Sequence, residues 1–406
     1  MDSLINAAAR ALAVGDSLGA LKRVALRDDA PALAIRGIAL AQLGDLARAK
    51  LLLRRAGRAF GPKEGVARAR CVVAEAEIAL VSRELNWPTK SLAAARTTLA
   101  RHGDLVNAAH ARYLEVRRQL LIGRVAQAER MLGRLDPAPF PPASRAAYEL
   151  AVAAISMRRL RTQAARAALE RAEHAARQAG IPGLLAEVDS AWRILATPAA
   201  RRIGPGEKRL LRLEDVEALL ASKALVVDAC RHVVCAETRA VSFARRPVLF
   251  AILSALAEAW PEDLSREALV MRAFRARRAD DSYRARLRVE VGRLRRALGT
   301  LAGVSATRRG FVLVPRRARP AVLLAPPVED RNAATLGLLA DGEAWSSSAL
   351  ALALGGSQRT VQRMLDSLAV AGKVQSFGRG RARRWMAPPA LGFTTILLLP
   401  AALPVD

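Results

Sequence analysis

Residues 286–298 read RLRVEVGRLRRAL, arginines threaded through leucine and valine at helical spacing. On a helical projection Leu287, Val291, Leu294 and Leu298 fall at i, i+4, i+7 and i+11 and form one apolar stripe. Opposite it lie Ala285, Val289, Gly292 and Arg296, flanked by Arg286, Arg288 and Arg293. Valine and glycine are poor choices for a face that meets only water, because glycine costs a helix about 1 kcal/mol. They suit a face that something approaches closely. In a major groove small apolar side chains meet base methyl groups and arginine bonds guanine or phosphate, so this spacing fits recognition of double-stranded DNA. The plain alternative is a solvated arginine face on an arginine-rich chain.

A second group follows. SQRTVQRMLDSLAVAGKV (357–374) reads as a helix with Ser357 as N-cap, a core stripe of Val361, Met364, Leu365 and Leu368, and Gly372 at its end. Gln358, Arg359, Gln362 and Arg363 point the other way, near the helix start where recognition helices touch DNA. QSFGRGRARRWM (375–386) then reads as two short strands around a turn, with Arg379, Arg381 and Arg383 on it. GRGR lacks the spacing and the Lys-Ser/Thr ending of a phosphate loop.

The elements that must position these groups are legible around them. KALVVDACRHVVCAETRAVSFA (223–244) alternates as short strands. FAILSALAEAW (250–260) and LSREALVMRAF (264–274) read as helices, and ATRRGFVLVP (306–315) as strand, turn, strand carrying Arg308 and Arg309. After a proline-rich bridge, RPAVLLAPPVEDR, the segments NAATLGLLADG and SSSALALAL are two helices before the Gly355-Gly356 turn.

Strands, helix, helix, arginine helix and hairpin in that order resemble the winged helix of bacterial regulators of the OmpR/PhoB type, over residues from about Ala224 to Pro315. The residues that carry the resemblance are Val241-Ser242-Phe243, Arg246-Pro247, Leu264 to Leu269, RLRVEVGRLRRAL and Arg308-Arg309-Gly310-Phe311. The resemblance implies that the second helix supports the third, that the third enters the major groove, and that wing arginines reach the adjacent backbone or minor groove. The wing lacks the family's second glycine and has Phe311 where tyrosine is common, and no phosphoacceptor receiver precedes it, so phospho-control is not implied. Residues 332–386 look like the small winged helix of many bacterial regulators; its alternative use is protein contact.

From Ile5 to about Thr197 the chain is nearly continuous helix material. RGIALAQLGDLARAKLLLRRAGRAF from Arg36 resembles a tetratricopeptide (TPR) helix pair, echoed from Glu115 and from Leu150. Turns at Gly44, Gly123 and Arg159, with one intervening pair around Leu85 to Leu99, fit a solenoid of period about 36–40. A non-repetitive helical bundle is the alternative. Such a surface binds a protein partner, RNA polymerase among them, or its own copy as a homodimer. PAARRIGPGEKRLLR (198–212) has the composition of a linker.

The formal charge of +28 suits a polyanionic partner. Its placement discriminates more than its size: between Tyr283 and Arg319 there are 11 arginines and one acid, Glu290. Cys71, Cys230 and Cys235 form no disulfide framework. CRHVVC reads as strand core, with no fourth metal ligand in view. His102, His110, His174 and His232 are scattered, and HExxH, GxSxG, Walker and GxGxxG motifs have no fitting context, so neither enzyme, metal nor cofactor is expected. RNA is disfavoured because aromatic residues, the stacking platforms of RNA readers, are only 4% of the chain. With an early acid and no long apolar stretch at the start no secretory signal is expected, and LGFTTILLLPAALP is too short and proline-broken to span a bilayer, so the expectation is a cytoplasmic protein without a membrane partner.

The expected architecture is mainly α: a TPR-like helical repeat or bundle (1–200), an OmpR/PhoB-like winged helix (208–320), a second winged helix-turn-helix (328–390), both α+β, and an apolar C-terminal tail (391–406). The expected function is DNA-binding transcription regulation; the alternative is an adaptor whose winged helices contact polymerase or another regulator.

Overall fold

Alanine, leucine and arginine at 3.6-residue spacing, broken at Gly-Asp dipeptides, make the first half of the chain a run of helices. In the computed structural model these are α1 (Ser3–Ala13), α2 (Ser17–Val24), α3 (Ala30–Gln42), α4 (Leu46–Ala59), α5 (Gly65–Val81), α6 (Thr89–Arg101), α7 (Leu105–Leu121), α8 (Val125–Leu132), α9 (Pro142–Arg158), α10 (Thr162–Ala179) and α11 (Pro182–Ala196). The structure describes residues 3–13, 15–85, 87–138, 140–204, 207–237, 239–243, 246–274, 280–316, 319–327, 332–339, 344–354, 356–380 and 383–386. Arg381 and the C-terminal tail (391–406) lie outside them.

The next segment holds β1 (Ala200–Gly204), β2 (Glu207–Leu211), α12 (Leu213–Ala221), β3 (Leu225–Asp228), β4 (Val233–Ala236), β5 (Arg239–Ser242) and α13 (Pro247–Ala259). It continues with β6 (Leu264–Ser265), α14 (Arg266–Phe274), α15 (Asp281–Leu298), β7 (Ala302–Ala306), β8 (Gly310–Pro315) and β9 (Ala321–Ala325). The chain then adds α16 (Ala333–Leu339), α17 (Ser347–Leu354), α18 (Gln358–Val370), β10 (Gln375–Phe377) and β11 (Arg384–Met386). The protein is mainly helical, with small sheets.

Two compact units divide the chain. One comprises Met1–Arg159, Gln163–Trp192 and Ala334–Asp406; the other comprises Leu160–Thr162 and Arg193–Ala333.

In the first unit one device recurs at three turns, Gly15-Asp16, Gly44-Asp45 and Gly103-Asp104. Gly44 takes a left-handed φ of 88°, and Asp45 behind it accepts a hydrogen bond from the Arg48 N–H at 3.2 Å, capping α4. Left-handed residues stand also at Arg83 and Gly180; the turns at Gly44, Arg83 and Gly123, each inside a helix pair, are spaced 39 and 40 residues. The intervening pair is α5 with α6, wider than 85–99, and Arg159 lies in the turn that ends α9. The C-terminal elements do not stand apart here: Leu339, Leu350, Val361, Leu365 and Leu368 share one core with Leu85, Leu92, Leu99 and Leu114. Trp345 and Trp385 are fully buried in it, each donating its backbone N–H to the other's carbonyl at 2.7 Å. The Arg83 guanidinium lies 5.4 Å from the centre of the Trp345 ring. The sequence reading had placed residues 328–390 in a separate domain.

The second unit is built on a six-stranded sheet of order β2-β1-β9-β3-β4-β5, in which β3 and β9 run parallel and the other neighbours antiparallel. Its side chains alternate as strand geometry demands. Leu225, Val227, Ala321 and Leu323 join the core around α13, while Val226, Val322 and Leu324 join the core of Val216 from α12. Two segments read differently in sequence. The supposed linker 198–212 is the β1–β2 pair: Ala200, Ile203 and Leu211 are buried, Arg201 and Arg202 lie on β1 between β2 and β9, and Lys208 and Arg209 lie on the edge strand β2, where charge disfavours further pairing. The supposed proline-rich bridge contains β9, whose run AVLLA is buried on both faces and so lacks the two-residue alternation of a half-exposed strand. At 264–274 the helix starts at Arg266, because Leu264 and Ser265 pair with Phe311 and Gly310. Among the described residues no helix is long and apolar enough to cross a membrane.

Two outcomes follow from the shared core. Trp345→Ala should cost about 3–5 kcal/mol and unfold α5–α9 together with α16–α18 in one urea transition followed by circular dichroism; two separate transitions would contradict a common core. Burial, and then the charge of Glu75, push the Cys71 thiol up from 9.0 to about 12. The neutral thiol's contribution to stability is complete below pH 9 and lost as pH rises toward 12, and native Cys71 should resist iodoacetamide at pH 8 until the chain unfolds.

Candidate nucleic-acid interface

Helix α15 begins at Asp280, whose carboxylate accepts from the Tyr283 N–H at 2.8 Å. Leu287, Val291, Leu294 and Leu298 are each at most 1% exposed and pack in the core with α13, α14 and β7. That burial turns the opposite face outward. Val289 is 54% exposed, and a methyl group added at Gly292 would meet no atom within 4 Å. Arg288 and Arg296 are exposed and make no hydrogen bond or ion pair among the described residues.

The remaining arginines of this helix are partly engaged. The Arg286 guanidinium stacks 4.7 Å from the centre of the Phe274 ring, which in turn packs on Tyr283. Arg293 pairs with Glu290 at 2.9 Å while staying exposed. Arg295 Nε donates to the Val304 carbonyl at 2.7 Å and ties the helix to β7.

The β7–β8 turn is braced from below. Thr307 Oγ1 donates to Asp263 at 2.5 Å and accepts from the Gly310 N–H at 2.8 Å, and Arg266 donates to the carbonyls of Arg308 and Thr307. Gly310 must lack a side chain, since a Cβ there would sit 1.8 Å from the Leu264 carbonyl oxygen. On this turn the exposed Arg308 guanidinium makes no hydrogen bond or ion pair among the described residues, and Arg309 lies 3.6 Å from Asp263.

In the first unit Ser357 caps α18, accepting from the Thr360 N–H at 3.2 Å. Val361, Leu365 and Leu368 are buried and Met364 half-buried. Arg359, Arg363 and Arg379 are exposed, with no partner among the described residues. The other polar side chains are occupied: Gln358 donates to Ser347 Oγ, Gln362 to Asp366, and Arg383 to Ser376 Oγ while stacking 4.1 Å over the Trp385 ring and lying 3.5 Å from Asp366.

Sequence reading noted Arg246 only as the residue before α13. In the structure it lines a recess of about 640 Å³ with Pro247, Val248, Leu249, Glu290, Arg293, Arg296 and Ala297. An arginine beside a helix-starting proline was the available signal, but its proximity to α15, more than forty positions away, is a tertiary fact. Among the described residues no three His, Cys, Asp or Glu side chains gather to hold a metal ion, and burial raises the thiols of Cys230 and Cys235. His110 is buried against Glu77 at 2.9 Å.

Compared with protein-family models, curated proteins and solved structures, this chain matches none.

Because open space surrounds Gly292, Gly292→Ala should stabilise the second unit by about 0.5–1 kcal/mol in urea unfolding. A loss of stability would mean that the face is not open.

Proposed function

We propose that this chain is a DNA-binding regulator of transcription. The observation that carries the reading is the outward face of α15: exposed Val289, an empty space over Gly292, and the unpartnered guanidiniums of Arg288 and Arg296 on a helix whose other face is core. A face of small apolar side chains between arginines suits a major groove, where arginine reaches guanine or phosphate and a methyl-sized side chain reaches thymine. The order α13, α14, α15 and the β7–β8 hairpin, with β6 closing a three-stranded sheet, supports a winged helix of the OmpR/PhoB type. Arg308 and Arg309 then lie on the wing. The spacing of the turns at Gly44, Arg83 and Gly123, each between the two helices of a pair, supports a TPR-like helical repeat, which receives a protein partner such as RNA polymerase or a second copy of the chain.

The order α16, α17, α18 and β10–β11 supports a second winged helix. Its DNA role rests on Arg359, Arg363 and Arg379. Here the adaptor reading has an observation of its own: Val370 is 92% and Phe377 49% exposed on this element, and apolar groups of that size suit a protein surface.

Fluorescence anisotropy with a labelled duplex tests the main reading. Arg288→Ala combined with Arg296→Ala should weaken binding by tenfold or more, with an unchanged circular dichroism spectrum. Gly292→Gln should do the same by occupying the space a base pair would fill. Affinity that survives both refutes the assignment of this face.

A further inference from the structure

Arg246 occupies the N-cap place of α13, yet no side chain caps this helix. Pro247 has no N–H, so the amides of Val248 and Leu249 are the donors left over by the first turn. Both residues face the recess that Arg246 shares with Arg293 and Arg296. A guanidinium beside the positive end of a helix dipole is unfavourable on its own. Two more guanidiniums from α15 add to it, and Glu290 is the one carboxylate among the residues lining the space. The pairing of Arg293 with Glu290 at 2.9 Å accounts for one of the three cations. The recess therefore keeps an excess of positive charge around a volume large enough for a phosphate group.

Position on the helix separates this cluster from the base-facing side chains. Glu290, Arg293 and Ala297 form one flank of α15, beside Val289, Gly292 and Arg296 on the outer face. Arg288 belongs to the opposite flank, from which Arg295 reaches β7. A helix lying in a major groove has a sugar-phosphate strand along each flank.

We infer that the recess is a phosphate clamp: Arg246 and Arg293, with the free amides at the start of α13, hold a phosphodiester of one DNA strand while the outer face of α15 meets the bases. The inference rests on the DNA-binding reading above and adds Arg246, a residue outside the recognition helix, to the interface. It also assigns Arg293, a flanking residue, to backbone binding. Glu290 acts against the clamp, as an internal anion that the phosphate displaces from Arg293.

The test is the salt dependence of duplex binding by the full chain, with a random-sequence labelled duplex titrated across a series of NaCl concentrations. Removing one phosphate contact lowers the slope of log K against log salt by about 0.9. Arg246→Ala should show that reduction, Arg246→Lys should keep most of the slope, and Glu290→Gln should tighten binding. If the Arg246→Ala and wild-type titrations superimpose while Arg288→Ala still weakens binding, the clamp is overturned and the DNA reading stands. A wild-type chain with no affinity for duplex overturns both. Arg246 is exposed, and a matching thermal melt certifies that Arg246→Ala remains folded.

Discussion

The burial of four side chains, Leu287, Val291, Leu294 and Leu298, fixes everything else that α15 can do. Each side chain removed from water contributes about 1.5–3 kcal/mol, whereas a guanidinium in the same place would have to leave water unpaired. Rotating the helix by one residue would exchange leucines for arginines in the core. The stripe therefore sets the helix's rotation, and rotation decides which arginines meet solvent. Charge on this helix is directed outward by an apolar constraint on its other side.

The rest of the second unit serves that constraint. β3 and β9, apolar on both faces, form the centre of a sheet that holds α13 on one side and α12 on the other. α13 and α14 then supply the surface on which the stripe packs, and β6 pins the β7–β8 hairpin beside it. The hydrogen bonds from Arg266 to the hairpin carbonyls and from Arg295 to Val304 use two arginines as struts. Not every arginine on a basic element is available to a partner, and local hydrogen bonding sorts the struts from the free groups.

What the sequence made legible is what periodicity and punctuation encode. The stripe of α15, the cap at Ser357, the wing-like hairpins and the helix pairs all follow from spacing and from Gly, Asp and Ser at breaks. What it hid depends on pairing between distant segments. β1, β2 and β9 carry arginine, glycine or proline at their edges, which reads as linker until their partners are known. The common core of Trp345 and Trp385 with α5–α9 joins segments more than 170 residues apart, and no local pattern announces it. Arg246 was hidden for the same reason: its charge matters through its proximity to Arg293 and Arg296.

The central claim, that the outer face of α15 meets duplex DNA, is tested most directly by arginine-selective modification of the full chain with and without duplex, read by mass spectrometry. Arg288, Arg296 and Arg308 should react freely in the unbound protein and be protected by DNA, while Arg295, already bonded to Val304, changes little. Unchanged reactivity of Arg288 and Arg296 in the bound state, with protection elsewhere or nowhere, would contradict the account.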